Sequence, residues 1–120
     1  MDDLEQRFAD LALKLLDKFG VLFPGVHVIA PHRENGVEVP GSETPFTILG
    51  VVQQYTAFEK QAAGIESGDV RFVCDNSRAL EIGDRIRING VHWRVVQPNP
   101  IIPHGENILA HRAQVRRVAQ

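Results

Sequence analysis

Apolar residues fall at Leu4, Phe8, Leu11, Ala12, Leu15, Leu16 and Phe19, the spacing of one helical face, and predict an amphipathic helix over residues 2–19. Asp2 and Asp3 suit the positive end of the helix dipole, Lys18 suits the last turn, and Gly20 is expected to end the helix in a left-handed conformation. The apolar face covers either its own domain or a neighbouring subunit. After Gly20 the pattern changes to strands and loops. Val26 to Ala30 predicts a short strand, Thr47 to Phe58 a long one bent at Gly50, Val70 to Cys74 another, and Asn107 to Val118 a closing strand. The strongest local signal is Gly83 to Val96, in which two alternating runs flank Asn89-Gly90. A two-residue type I′ turn needs positive φ at both central positions, which Asn tolerates and Gly adopts freely. Its register sets Ile88 opposite Val91, Ile86 opposite Trp93 and Asp84 opposite Val95. Ile86, Ile88, Val91, Trp93 and Val95 then share one face, and Arg85, Arg87, His92 and Arg94 the other.

Two segments break the strand pattern. Residues 31–45 carry Pro31, Pro40, Pro45, Gly36 and Gly41 and read as an exposed, mobile loop with a small hairpin at Asn35-Gly36. Residues 59–69 read as a second mobile loop, the tip of an extended hairpin with little apart from Ile65 to anchor it. Pro98, Pro100 and Pro103 stiffen the connection before the last strand. The whole describes a single α+β domain over residues 1–120, a small antiparallel β-barrel or sandwich of about six strands with an N-terminal helix. No internal repeat or domain boundary is visible.

Composition supports a self-sufficient core: 120 residues with 43% hydrophobic content need no disulfide framework. The lone Cys74, in a strand-like run, is expected as a small core residue. The first residues, MDDLEQ, lack the basic and apolar regions of a signal peptide, and no apolar run approaches a membrane span. Net charge is only −2, but residues 1–77 carry 12 acids and 6 bases while residues 78–120 carry 3 acids and 7 arginines. That asymmetry fits nucleic acid, head-to-tail self-association or a plain solvated face.

Catalytic and metal motifs are lacking in the sequence. His27, His32, His92, His104 and His111 form no HxxxH pair and have no CxxC partner, so no zinc spacing is present. There is no GxGxxG, phosphate loop or GxSxG elbow. The chain reads as a non-enzyme with no cofactor and no metal. Nucleic-acid binding is a serious alternative, because Arg85, Arg87 and Arg94 project from one hairpin face as a track for phosphates. The stacking aromatic that a single-strand reader presents is missing there, since Trp93 falls on the apolar face; Tyr55 and Phe58 are the possible exceptions.

The order of elements carries a resemblance. A helix ending in Phe19-Gly20, a long strand leading to GVVQQYTAFE, a GDVRFV step at Gly68 to Val73 and then GDRIRINGVHWRVVQPNPI resemble the small head-tail joining proteins of tailed bacteriophages, also called head closure, adaptor or stopper connectors. The resemblance spans about Leu4 to Val118. It implies a structural virion protein, assembled in the bacterial host cytoplasm, that forms a ring of twelve or six copies in the phage neck and joins the portal of the DNA-filled head to the tail. It also implies a small barrel with a flanking helix, a monomer when alone, portal, adaptor or tail proteins as partners, genomic DNA passing through the channel, and no membrane. Tail-completion and tail-terminator proteins occupy neighbouring rings and are the related alternative. The residues expected at ring or DNA-channel contacts are Lys60, Gln61 and Glu66 in the second loop and Arg85, Arg87 and Arg94 on the hairpin.

Overall fold

A computed structural model describes residues 2–61, 64–102 and 107–118. The order is a helix α1 (Asp2–Phe19) followed by strands β1 (Val21–Ile29), β2 (His32–Glu34), β3 (Val37–Val39), β4 (Ser42–Gln54), β5 (Val70–Cys74), β6 (Arg85–Ile88), β7 (Val91–Gln97), β8 (Pro100–Ile101) and β9 (Ala110–Arg117), with a short 3₁₀ turn at Glu59–Gln61. Six strands in the order β5-β4-β1-β6-β7-β9 close into an antiparallel barrel through the β5–β9 ladder. Closure removes the sheet edges that an open sheet of this size would expose. The expected α+β barrel is the fold observed.

Strand alternation builds the interior. Ile48, Val70, Phe72, Cys74, Ile86, Ile88, Val95, Ala113 and Val115 form one buried cluster, with Phe23, Phe46, Val52 and Trp93 packed against it. The Phe23 and Phe72 rings meet edge to face, 5.3 Å between centroids. Gly50 is required by this packing, because a side chain there would occupy the place of the Phe72 ring. Cys74 is fully buried, and burial pushes its thiol pKa up, so it is a core residue. His111 is also buried; burial lowers its pKa and keeps it neutral, with Nε2 facing the Leu80 N–H and Nδ1 the Pro98 carbonyl.

A second cluster lies outside the barrel. Ala9, Ala12 and Leu16 of α1 pack with Val73, Ile101 and Ala110, flanked by Leu15, Leu49, Val51 and Leu109, so the helix covers its own barrel across β4, β5, β8 and β9. Leu11 and Phe19, expected on the buried face, are exposed, while Ala9 is buried instead. The side chains of Asp2, Asp3, Leu4 and Phe8 lie outside the described residues, as do Pro103 and His104. Gly20 closes the helix by donating its N–H to the Leu16 carbonyl, but its φ is not left-handed. A side chain there would strike that same carbonyl, so close approach explains the residue.

The hairpin at Asn89-Gly90 forms in the predicted register, with both turn residues at positive φ (52° and 79°). Trp93 is half-buried. The first strand differs from its expected bounds. It starts at Val21, and its ladder with β4 runs from Val21↔Gly50 to Ile29↔Ser42, through Pro24 and Gly25. Much of the 31–45 segment is therefore ordered β-structure: β2 and β3 make the small hairpin at Asn35-Gly36, and β4 begins at Ser42. Beyond Val26 the β1–β4 ribbon has no further partner strand, because β1 meets β6 only at Gly25 and Val26 and β4 meets β5 only from Gly50. It leaves the barrel as an arm.

Candidate functional site

Arg85 and Arg87 of β6 and His92 and Arg94 of β7 point outward, as alternation requires once Ile86, Ile88 and Val95 fill the interior. Arg85 lies directly opposite Arg94, and Arg94 opposite Arg116 of β9, so three guanidinium-bearing residues cross three strands in one row. Arg87 lies opposite His92. Like charges set opposite each other in a sheet are destabilising. Among the described residues Arg85, Arg87 and Arg94 make no ion pair, whereas Arg116 is held by Asp69 and Glu66. The excess of arginine in residues 78–120 is thus spatially concentrated here.

Beside the row, the outer faces of β1 and β4 leave a cleft of about 490 Å³ lined by Pro24, Val26, Pro45, Phe46 and Thr47 and rimmed by Arg85, Arg87 and His92. Among the described residues no helix or strand covers it, in contrast to the side on which α1 packs. The combination is an apolar floor with a cationic rim, suited to an acidic partner that also offers apolar side chains.

The second loop is anchored more firmly than its sequence suggests. Thr56 and Glu59 form a reciprocal capping box: the Thr56 N–H donates to the Glu59 carboxylate and the Glu59 N–H to the Thr56 hydroxyl. The Glu59 carboxyl pKa is lowered, first by the Thr56 N–H and then by Arg71, which pairs with Glu59 and lies over the Tyr55 ring at 5.0 Å. Asp69 is 1% exposed and accepts hydrogen bonds from Arg116, Gln114 and the Glu66 N–H. Burial alone raises its pKa, but these hydrogen bonds and the Arg116 charge together outweigh burial and hold it below the ordinary carboxylate value. Gln114 and Arg116 also donate to the Gly64 carbonyl. Ile65 is only half-buried, and the polar network does the anchoring.

The six expected contact residues divide into two places. Lys60 and Gln61 are exposed on the 3₁₀ turn; Gln61 lines a cleft of about 640 Å³ together with Tyr55, Phe58, Arg71, Arg112 and Gln114, away from the arginine row. Glu66 is exposed and pairs with Arg116 at 2.7 Å, which puts it at the end of that row beside Arg94. The residues missed in the sequence are the apolar floor of the first cleft; of the two aromatics named as exceptions, Tyr55 is buried and Phe58 is 83% exposed at the lip of the second. Thr56-Ala57-Phe58-Glu59 was a readable capping signal, and it fixes the position of Phe58. No family model matches the chain, and neither a curated protein nor a solved structure matches it.

Proposed function

We propose that this protein is a structural subunit of the neck of a tailed bacteriophage, forming a ring that joins the portal of the DNA-filled head to the tail. The observation that carries the reading is the bare side of the barrel. Arg85, Arg87 and Arg94, which make no ion pair among the described residues, lie beside an open apolar cleft, whereas the helix packs on the β4–β5–β9 side. Such a surface favours a heterologous contact with an acidic neighbour, and repeated contacts of that kind close into a ring when the rotation per copy allows it. The described residues also present Leu22, Phe58 and Ile82 to solvent at 66%, 83% and 66% exposure, single apolar anchors of the type that interfaces bury. The resemblance in element order points the same way.

Light scattering after size exclusion tests this on the chain alone, with cognate portal rings and with purified tails. Multiple copies bound per portal ring support the connector reading; binding to tails alone moves the protein to the tail-completion or terminator class. Arg85, Arg87 and Arg94, without an ion pair among the described residues, also favour a second reading, a nucleic-acid-binding barrel. That reading requires affinity for free DNA or RNA that falls steeply with salt, and a flat salt response removes it.

A further inference from the structure

The sequence Glu-x-Gly-Asp occurs twice, at Glu66–Asp69 and Glu81–Asp84, each time immediately before a barrel strand. The two copies fold alike. The Asp N–H donates to the Glu carbonyl (3.0 and 3.1 Å), the Glu N–H donates to Asp Oδ2 (2.9 and 3.0 Å), and the glycine φ is 93° and 96°. Both aspartates are 1% exposed. In each turn the glutamate Oε2 and the aspartate Oδ1 converge on a single nitrogen. At the first, that nitrogen is Arg116 Nε, 2.7 Å from Glu66 Oε2 and 2.9 Å from Asp69 Oδ1. At the second it is His27 Nδ1, 3.3 Å from Glu81 Oε2 and 2.6 Å from Asp84 Oδ1.

The turn is therefore a two-carboxylate cradle for a cation, and its two copies differ in what they hold. A guanidinium is permanently charged and has no lone pair to give. An imidazole nitrogen can instead act as a neutral metal ligand. We infer that His27, Glu81 and Asp84 form a binding site for a divalent transition metal of the zinc class. Their three ligand atoms lie within 4.8 Å of one another. Tetrahedral zinc bonds of roughly 2.0 to 2.2 Å place neighbouring ligand atoms about 3.3 to 3.6 Å apart. The Glu81 contact already has that spacing, and the Asp84 contact opens by about 0.7 Å as the metal takes the place of the hydrogen bond. Asp84 is positioned for the task, since its Oδ2 is held by the Glu81 N–H and only Oδ1 faces the ring. Glu81 is 63% exposed and free to close over the ion, leaving a fourth position for water or a partner's side chain. Arg78 Nε stands 3.9 Å from Oδ2, the oxygen that is not a ligand, and its charge works against a second cation at the site. The sequence hides the site because one ligand comes from β1 and the other two from the turn before β6. An ion there would tie the root of the β1–β4 arm to the barrel, as His27 lies opposite Thr44 where the arm departs.

The test is a calorimetric titration of the chelator-treated full chain with zinc chloride at neutral pH, with a melting curve on the same samples. One equivalent is expected to bind and raise the melting temperature. His27→Ala and Glu81→Gln are each expected to weaken binding at least tenfold, while His32→Ala, His92→Ala and Glu66→Gln leave it unchanged. Glu81 is exposed, so Glu81→Gln decides the matter if His27→Ala folds poorly. Absence of one-site binding in the wild-type chain, or wild-type affinity in Glu81→Gln, overturns the assignment.

Discussion

The two sides of this barrel are finished differently. On the β4–β5–β9 side α1 covers Val73, Leu49 and Val51, Arg71 is paired with Glu59, and Arg116 with Asp69 and Glu66, while the second cleft beside Phe58 stays open there. On the β1–β6–β7 side Arg85, Arg87 and Arg94 have no acidic partner among the described residues, two of the row's arginines face each other, and the apolar cleft over Val26 and Pro45 stays open. A sequence under no demand but stability has no reason to place Arg opposite Arg when one Glu would relieve the repulsion. The covered side builds the fold, and the bare side is left for something outside the chain.

Substitutions should break this contrast in order of size. Leu16→Ala removes the side chain through which α1 meets the barrel and should cost about 2 to 4 kcal/mol in urea unfolding. Asp69→Ala strips Arg116 and Gln114 of their shared acceptor; because Arg116 is partly exposed, the expected loss is about 2 to 3 kcal/mol rather than the full cost of a buried pair. Acid should act on the same side. His111 has a lowered pKa, so stability is complete above about pH 6.5, its unfolded value, and declines as the pH falls below it. Asp69 also has a lowered pKa; its contribution persists above about pH 4 and is lost as the pH falls through its folded value. Asp69→Asn should flatten that lower limb of the pH–stability curve and leave the upper one. On the bare side, replacing Arg85, Arg87 and Arg94 together with Glu should shift stability by less than about 0.5 kcal/mol. A large loss there would mean that the arginines support the fold.

How much of this was legible depends on how local the determinants are. The Asn89-Gly90 hairpin, strand β5 and helix α1 follow from turn chemistry and periodicity within a few residues, and all three form where expected. The early start of β1 was hidden because Pro24 and Gly25 are poor strand formers until a long-range ladder with Thr47 and Phe46 holds them. The second loop looked unanchored because its ties to Gln114 and Arg116 span about fifty residues. Charge counting found the arginine excess, but only the register brings Arg85, Arg94 and Arg116 into one row. The cleft beside that row combines residues from β1, β4, β6 and β7, and no single stretch of sequence announces it.

The central claim is that the bare arginine side is a docking surface for a neighbouring ring. Its most direct test is the mass of complexes formed by cognate portal rings with the wild-type chain and with the Arg85→Glu, Arg87→Glu, Arg94→Glu variant, measured by light scattering after both are shown to melt alike. The account predicts several wild-type copies per ring and none of the variant. Equal loading of both chains would contradict it.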